Sequence, residues 1–309
     1  MKYINFGESS RKVSKIILGL MRISEMSVKE TEHLVRSALD NGINALDLAD
    51  CYGAGKCEQI LGRVFSSNPD LRGKVWLQSK CGIRYDEEFT YYDFSKEHIL
   101  KAADDILTRL QTDHLDSLLL HRPDALMEPD EVAEAFAELH QKGKVLDFGV
   151  SNFNPMQMAL LQKALPRRLA CDQVQLSAAF TPMLDAGFQT NMKWDGSAMR
   201  DGGILEYCRM NDMAVQSWSS LQYGFFEGIF LGSPKYPELN KVLDRLAEEK
   251  SVTPTAVALA WILRLSGKMQ AVIGTTKADR VTQSAAACDI ELTRKEWYEI
   301  YLAAGNKLP

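Results

Sequence analysis

Leu34-Val35-Arg36-Ser37-Ala38-Leu39-Asp40-Asn41-Gly42-Ile43-Asn44-Ala45-Leu46-Asp47-Leu48 carries one complete helix-to-strand passage. Leu34, Val35, Ala38 and Leu39 form an apolar stripe at helical spacing, and Asn41-Gly42 is a stop signal. Asn44 to Leu48 then reads as a short strand. Working outward, the alternation recurs: candidate strands are Ile16 to Leu20, Val75 to Ser79, Ser117 to Leu120, Val145 to Val150, Asp172 to Gln175, Ala214 to Ser217 and Gln270 to Ile273. Most are too apolar for a sheet with one wet face, which points to a parallel sheet covered by helices. Ile99, Ala102, Ala103, Ile106, Leu107 and Leu110 repeat the helical stripe. Asn154-Pro155 and Thr253-Pro254 each set a capping side chain before a proline at the first helical position, where the missing N–H costs nothing.

About eight such units describe an α/β fold, a single (β/α)8 TIM barrel spanning residues 1–309 as one domain. A doubly wound dinucleotide-binding sheet is the alternative, and its Gly-x-Gly-x-x-Gly fingerprint is missing: Gly53-Ala54-Gly55 continues to Glu58. Three connections are longer and more aromatic than a barrel needs: Gly82 to Ser95, Thr181 to Arg200 and Leu221 to Pro237. Their Tyr85, Phe89, Tyr91, Tyr92, Phe94, Phe225, Phe226 and Phe230 argue against disorder. We read the three as substrate-side loops at the carboxyl ends of the strands. Packing of the loops onto the barrel rim is the plainer account of any single ring. The tail from Leu292 reads as one short helix ending at Gly305.

At 309 residues, 46% hydrophobic and 25% charged, the chain is ordinary for a large globular domain. A formal net charge of −5 argues against nucleic-acid or anionic-membrane partners, which call for a basic face. No apolar run approaches a membrane span, and Met1-Lys2-Tyr3-Ile4-Asn5 lacks the apolar core of a signal peptide, so a cytoplasmic location is expected. Cys51, Cys57, Cys81, Cys171, Cys208 and Cys288 show no paired spacing, which predicts reduced thiols and no metal site.

Polar residues punctuate the strand ends. Asp47 sits in the second strand, Lys80 ends the third, His121 the fourth and Ser151-Asn152 the fifth, while Gln173 lies in the sixth and Trp218 follows the seventh. In a closed parallel barrel these positions converge on one face. Singly, each has a plain structural account: a turn cap for Asp47, a snorkelling stem for Lys80, a bonded rim residue for His121. Their joint occurrence shifts the balance towards a site.

The segments Gly42-Ile43-Asn44-Ala45-Leu46-Asp47-Leu48-Ala49-Asp50-Cys51-Tyr52-Gly53, Leu118-Leu119-Leu120-His121-Arg122-Pro123, Gly143-Lys144-Val145 and Gly149-Val150-Ser151-Asn152-Phe153 resemble the aldo-keto reductase family over nearly the whole chain. The resemblance implies a TIM barrel with an N-terminal hairpin and a catalytic tetrad at Asp47, Tyr52, Lys80 and His121. It implies NADP(H) as cofactor and a small-molecule carbonyl substrate. Ser151, Asn152 and Gln173 fall on the nicotinamide carboxamide contacts, and Trp218 on the ring-stacking aromatic. Met21, Arg22, Ser219, Leu221, Gly274, Thr275, Thr276, Lys277 and Arg280 fall on the remaining cofactor contacts, with Arg280 the best candidate for a 2′-phosphate. The resemblance further suggests a monomer or weak homo-oligomer.

That chemistry requires a proton for the alkoxide formed by hydride delivery. Tyrosine, with a pKa near ~10, needs roughly 3 kcal/mol to reach ~7.5. An ammonium at ~4 Å supplies about 4 kcal/mol at an effective dielectric of ~20 and about 1 in water, so a partly desolvated site is expected. A carboxylate, Asp47, would keep Lys80 charged there. Rival readings are a Schiff-base aldolase using Lys80 and an NADP(H)-binding regulatory or sensor protein with little turnover. Cys51 and Cys81 flank Tyr52 and Lys80, and simple burial is expected of both.

Overall fold

The computed structural model describes residues 1–9, 11–85, 90–200 and 202–306. Its centre is a closed barrel of eight parallel strands: β1 (Ile16–Gly19), β2 (Ala45–Asp47), β3 (Trp76–Cys81), β4 (Leu115–Leu120), β5 (Val145–Ser151), β6 (Cys171–Gln175), β7 (Ala214–Trp218) and β8 (Lys268–Ile273). Neighbours pair in chain order, and β8 returns to β1 through Ala271 opposite Ile16 and Ile273 opposite Leu18. Every strand read from the sequence is present, with ends shifted by one or two residues.

Helices cover the outside. α1 (Val28–Asp40) starts on a reciprocal cap between Ser27 and Glu30 and buries Thr31, Leu34, Val35 and Ala38 against the sheet. α2 (Lys56–Ser67) follows β2, and α3 (Lys96–Leu110) turns the stripe from Ile99 to Leu110 inward. Asn154 caps α4 (Pro155–Ala164) through the Gln157 N–H, and Thr253 caps α5 (Pro254–Leu263) through that of Ala256. Both prolines sit at the helix start as the sequence indicates.

An antiparallel hairpin, Tyr3–Phe6 with Arg11–Ser14, closes the amino end of the barrel. Phe6 meets Trp76 edge to face at 4.6 Å, and Ile4, Val13, Ile17, Ala45, Cys171 and Ala214 complete a dry plug. The barrel therefore opens only at the carboxyl ends of its strands.

The long connections divide. Ile83–Tyr85 pairs with Thr90–Tyr92, and Gln222–Tyr223 with Gly228–Ile229, so two of them are small hairpins over the open face. Phe89 lies outside the described residues. Phe94 and Phe230 are wholly buried rim-packing residues rather than substrate-side rings. The connection from Thr181 behaves differently from its reading. Its helix, Pro182–Phe188, packs against the C-terminal helix Arg294–Ala303, with Phe188 5.2 Å from Tyr301 and the Tyr301 hydroxyl donating to Asp185 at 2.5 Å. That helix is clamped to the barrel wall by Trp297 stacked on Trp261 at 4.8 Å, each indole N–H donating to the other's carbonyl. The tail thus docks on the side of the barrel, away from its mouth. No helix among the described residues is long and apolar enough to cross a membrane.

Candidate active site

The open face holds a cavity of about 1060 Å³ lined from all around the barrel. On β3, Gln78 and Lys80 are two residues apart and both face inward. Ser79, between them, faces out and donates to the buried Glu58 at 2.6 Å. Lys80 is fully buried, and its ammonium donates to both Asp47 oxygens at 2.7 and 2.8 Å, to the Leu48 carbonyl at 2.6 Å and to the Tyr52 hydroxyl at 3.4 Å. Tyr52 reaches this spot because the chain leaves β2 through a turn, Tyr52–Gly55, in which Gly53, Ala54 and Gly55 all have left-handed φ (57°, 52° and 83°). Gly55 is required there: a Cβ would lie 2.9 Å from the Arg109 side chain. Ala54 holds the same conformation at an expected cost of about 1–2 kcal/mol. Asn152, Ser219 and Phe226, at the same face, also have positive φ.

Beneath Asp47 lies an amide layer absent from the sequence reading. Gln78 and Gln173 each donate to Asp47 Oδ1, at 2.7 and 3.1 Å, and to Gln216 Oε1, at 2.7 and 3.0 Å. Gln216 donates onward to Gln270 at 3.1 Å, and Gln270 to the Ser14 carbonyl at 3.0 Å. Every amide is buried and bonded, as a polar layer in a low-dielectric core demands. Asp47 is thereby fixed by three side chains.

The electrostatics follow from burial. Desolvation works against the Lys80 charge, yet Asp47 and Tyr52 outweigh it and the pKa is raised, so Lys80 remains an ammonium. An amine so buried and so charged is unsuited to Schiff-base chemistry. Tyr52 corrects an expectation: burial pushes it up to about 12, against the lowering by Lys80. The physical reason is that Lys80 is already paired bidentately with Asp47, so the net field at the phenol is small. His121 is driven well below its ordinary value by burial, then by Lys80 and Arg122, and is neutral. Its Nδ1 lies 3.6 Å from Cys51 Sγ, and its ring is 5.8 Å from that of Tyr52. Cys51 accordingly lines the cavity, contrary to its reading as simply buried; burial raises its thiol to about 12, so it is no thiolate.

Asp47, Tyr52 and His121 line the cavity, with Lys80 directly behind. Met21, Arg22, Ser151, Asn152, Gln173, Trp218, Ser219, Leu221, Gly274, Thr275 and Arg280 line it too. Thr276 and Lys277 do not; Lys277 directly precedes the helix Ala278–Ala285, its backbone N–H donating to Thr275 Oγ1 at 3.1 Å. Ser151, Asn152 and Trp218 are bonded in series: Asn152 Nδ2 donates to Ser151 Oγ at 2.9 Å, and Trp218 Nε1 to Asn152 Oδ1 at 3.1 Å. Lining residues that sequence reasoning missed include Arg122, Thr255, Gln283 and Ser284. Arg122 was within reach, since it directly follows His121 at a strand end; the others sit on helices and carry no local signal. Tyr85, Tyr92, Phe225 and Phe226 wall the mouth, and among the described residues none beyond Ser284 contributes. No cluster of metal-ligating side chains occurs among the described residues.

A barrel with its site built at the strand carboxyl ends defines a class of enzyme scaffold, and comparison narrows it. Residues 15–303 match the model of the Aldo/keto reductase family, and the chain belongs to that family. It is 36% identical to Oxidoreductase YdhF of Escherichia coli (strain K12) over 307 residues, 97% of each chain. To a 6-dehydroglucose reductase of Agrobacterium fabrum it is 33% identical, over 96% of each. Among solved structures, an aldo/keto reductase from Klebsiella pneumoniae in complex with NADP and acetate superposes with a TM-score of 0.76 at 25% identity, covering 97% of this chain and 94% of that one. The thermostable aldo-keto reductase Tm1743 shares the fold, with a TM-score of 0.78 at 21% identity over 98% and 100% of the two chains.

Proposed function

We propose that the protein reduces the carbonyl group of a small aldehyde or ketone with NADPH, Tyr52 giving up the proton. The observation that carries this is the Tyr52 hydroxyl on the cavity floor, 3.4 Å from a Lys80 ammonium clamped by Asp47 and beside a neutral His121.

The residues present suit the cofactor. The cavity exceeds the ~300–1,000 Å³ of ordinary small-ligand sites, leaving room for a dinucleotide beside a small substrate. Ser151, Asn152 and Gln173 offer hydroxyl and amide groups to a carboxamide, and Trp218 offers a stacking face. Gly274, Thr275 and Arg280 would receive the adenosine phosphate, Arg280 through its guanidinium. NADP in the Klebsiella relative supports the choice of cofactor. Bound NADPH supplies the hydride.

The side chains do the rest. With a pKa near 12, Tyr52 is protonated at rest and is ready as a donor. An alkoxide is a far stronger base than a phenolate, so the transfer from Tyr52 Oη runs downhill. The Lys80 ammonium stabilises the phenolate left behind, and Asp47 holds Lys80 in place and charged. His121, with Nδ1 turned to Cys51, has its other nitrogen to orient the carbonyl oxygen.

The test follows NADPH consumption with a panel of aldehydes, ketones and quinones, for wild type and Tyr52→Phe at matched cofactor occupancy. Turnover by wild type, with NADPH binding retained and most activity lost in the variant, is the expected result. NADPH binding without reduction of any carbonyl would assign a sensor instead, and no binding by either protein would overturn the cofactor site.

A further inference from the structure

The cavity carries more positive charge than the proposed reaction uses. Its described lining includes three guanidinium groups, Arg22, Arg122 and Arg280, while its one carboxylate, Asp47, is already neutralised by Lys80. In a chain of formal net charge −5 this is a local inversion of sign, which favours anionic ligands. Arg22 and Arg280 belong to the cofactor end proposed above. Arg122 stands apart, directly after His121.

Arg122 is half-buried, and the proline that follows it restricts its backbone. Its guanidinium lies 5.7 Å from the centre of the Trp218 ring and 5.8 Å from that of Phe225. Among the described residues it has no hydrogen-bond or ion-pair partner. Aromatic rings hold a guanidinium by its faces and leave the in-plane N–H fork open. That fork matches a carboxylate, which it binds through two parallel hydrogen bonds. One guanidinium also balances the single charge of a carboxylate, whereas a dianionic phosphate would need a second cation. The cations felt at His121 are Lys80, committed to Asp47, and Arg122 itself.

We infer that the substrate is an aldehyde or ketone that also bears a carboxylate, seated on Arg122 while its carbonyl oxygen meets Tyr52 and His121. This rests on the reductase reading, and it narrows the substrate class within it.

The test compares 2-, 3- and 4-carboxybenzaldehyde with their methyl esters, for wild type, Arg122→Gln and Arg122→Lys. Benzoate binding to each protein saturated with NADP+ is measured by calorimetry in parallel. We expect at least one acid to exceed its ester in kcat/KM by roughly ten- to a hundredfold, mainly through KM, the yield of one well-made bidentate pair. In Arg122→Gln the acid-to-ester ratio should fall to about one and benzoate binding should weaken similarly; Arg122→Lys should keep part of both. Equal rates for acids and esters in wild type, or a ratio that survives in Arg122→Gln, would overturn the inference and leave the reductase standing. If no aldehyde is reduced but benzoate binding still depends on Arg122, the anion subsite stands and the reductase reading falls. If benzoate binding is also indifferent to Arg122, both fall.

Discussion

The two ends of the barrel are built from opposite materials. At the amino end, Phe6, Trp76, Ile4 and Val13 make a plug with no charge in it. At the carboxyl end, Asp47, Tyr52 and His121 line a cavity with Lys80 behind them, and four glutamines separate the two regions. Apolar contacts at the closed end are worth stability and nothing else. Buried charges at the open end contribute little net stability, because desolvation offsets their attraction, yet they fix the geometry of one hydroxyl. The comparison predicts that substitutions at the two ends separate activity from stability.

The largest effect belongs to the open end. Tyr52→Phe should lower kcat by roughly 10²- to 10⁴-fold, with thermal unfolding nearly unchanged. With Tyr52 near 12 and His121 uncharged, the reduction rate in wild type should stay flat from neutral pH to about 10. A steep fall between pH 7 and 8 would mean that the bound cofactor lowers the phenol, and a pH–rate profile decides it. At the closed end, Trp76→Ala should cost roughly 3–5 kcal/mol in urea unfolding while the surviving folded enzyme keeps its kcat. Loss of kcat in proportion to stability would break the comparison.

The outer wall of β6 gives a third contrast. Asp172, beside Gln173 on the opposite face, is fully buried with one oxygen unpartnered, and burial raises it to about 8. A carboxyl raised this way binds its proton more tightly folded than unfolded. Its contribution is present at low pH and is lost as pH rises from about 4 towards 8. Asp172→Asn should therefore gain about 2–3 kcal/mol relative to wild type between pH 5 and pH 7, read from denaturation at both values. A pH-independent difference would show that Asp172 is charged. The smallest change is expected at the boundary: Gln216→Leu takes one partner from each of the amides of Gln78, Gln173 and Gln270, which keep their bonds to Asp47 and Ser14, and should cost about 1–3 kcal/mol. A simultaneous drop in kcat would show that the layer also holds Asp47 in register.

The strands were legible because eight apolar runs bounded by caps and stops leave little freedom of assignment, and Asn154-Pro155 and Thr253-Pro254 marked their helices correctly. Asp47, Lys80 and His121 were legible as polar residues at apolar strands, whereas Tyr52, in the turn beyond its strand, was picked out only by the family resemblance. What was not legible depended on distant packing. Nothing local distinguishes Phe94, which fills the rim, from Phe225, which walls the cavity. Nothing around Pro182 announces that its helix receives the C-terminal tail. Of the glutamines on β3, β6, β7 and β8 the sequence reading singled out only Gln173, since the partners that make them a layer lie up to 256 residues away.

By itself, then, the sequence determined the order of strands and helices, the closed parallel barrel and the side chains delivered to its open end, because periodicity, caps and strand polarity are local. Only the tertiary structure decided the protonation of Tyr52, the exposure of Cys51 to the cavity and the lack of a hydrogen-bond or ion-pair partner for Arg122 among the described residues. Desolvation and ion pairing depend on what every other strand brings to the same few ångströms.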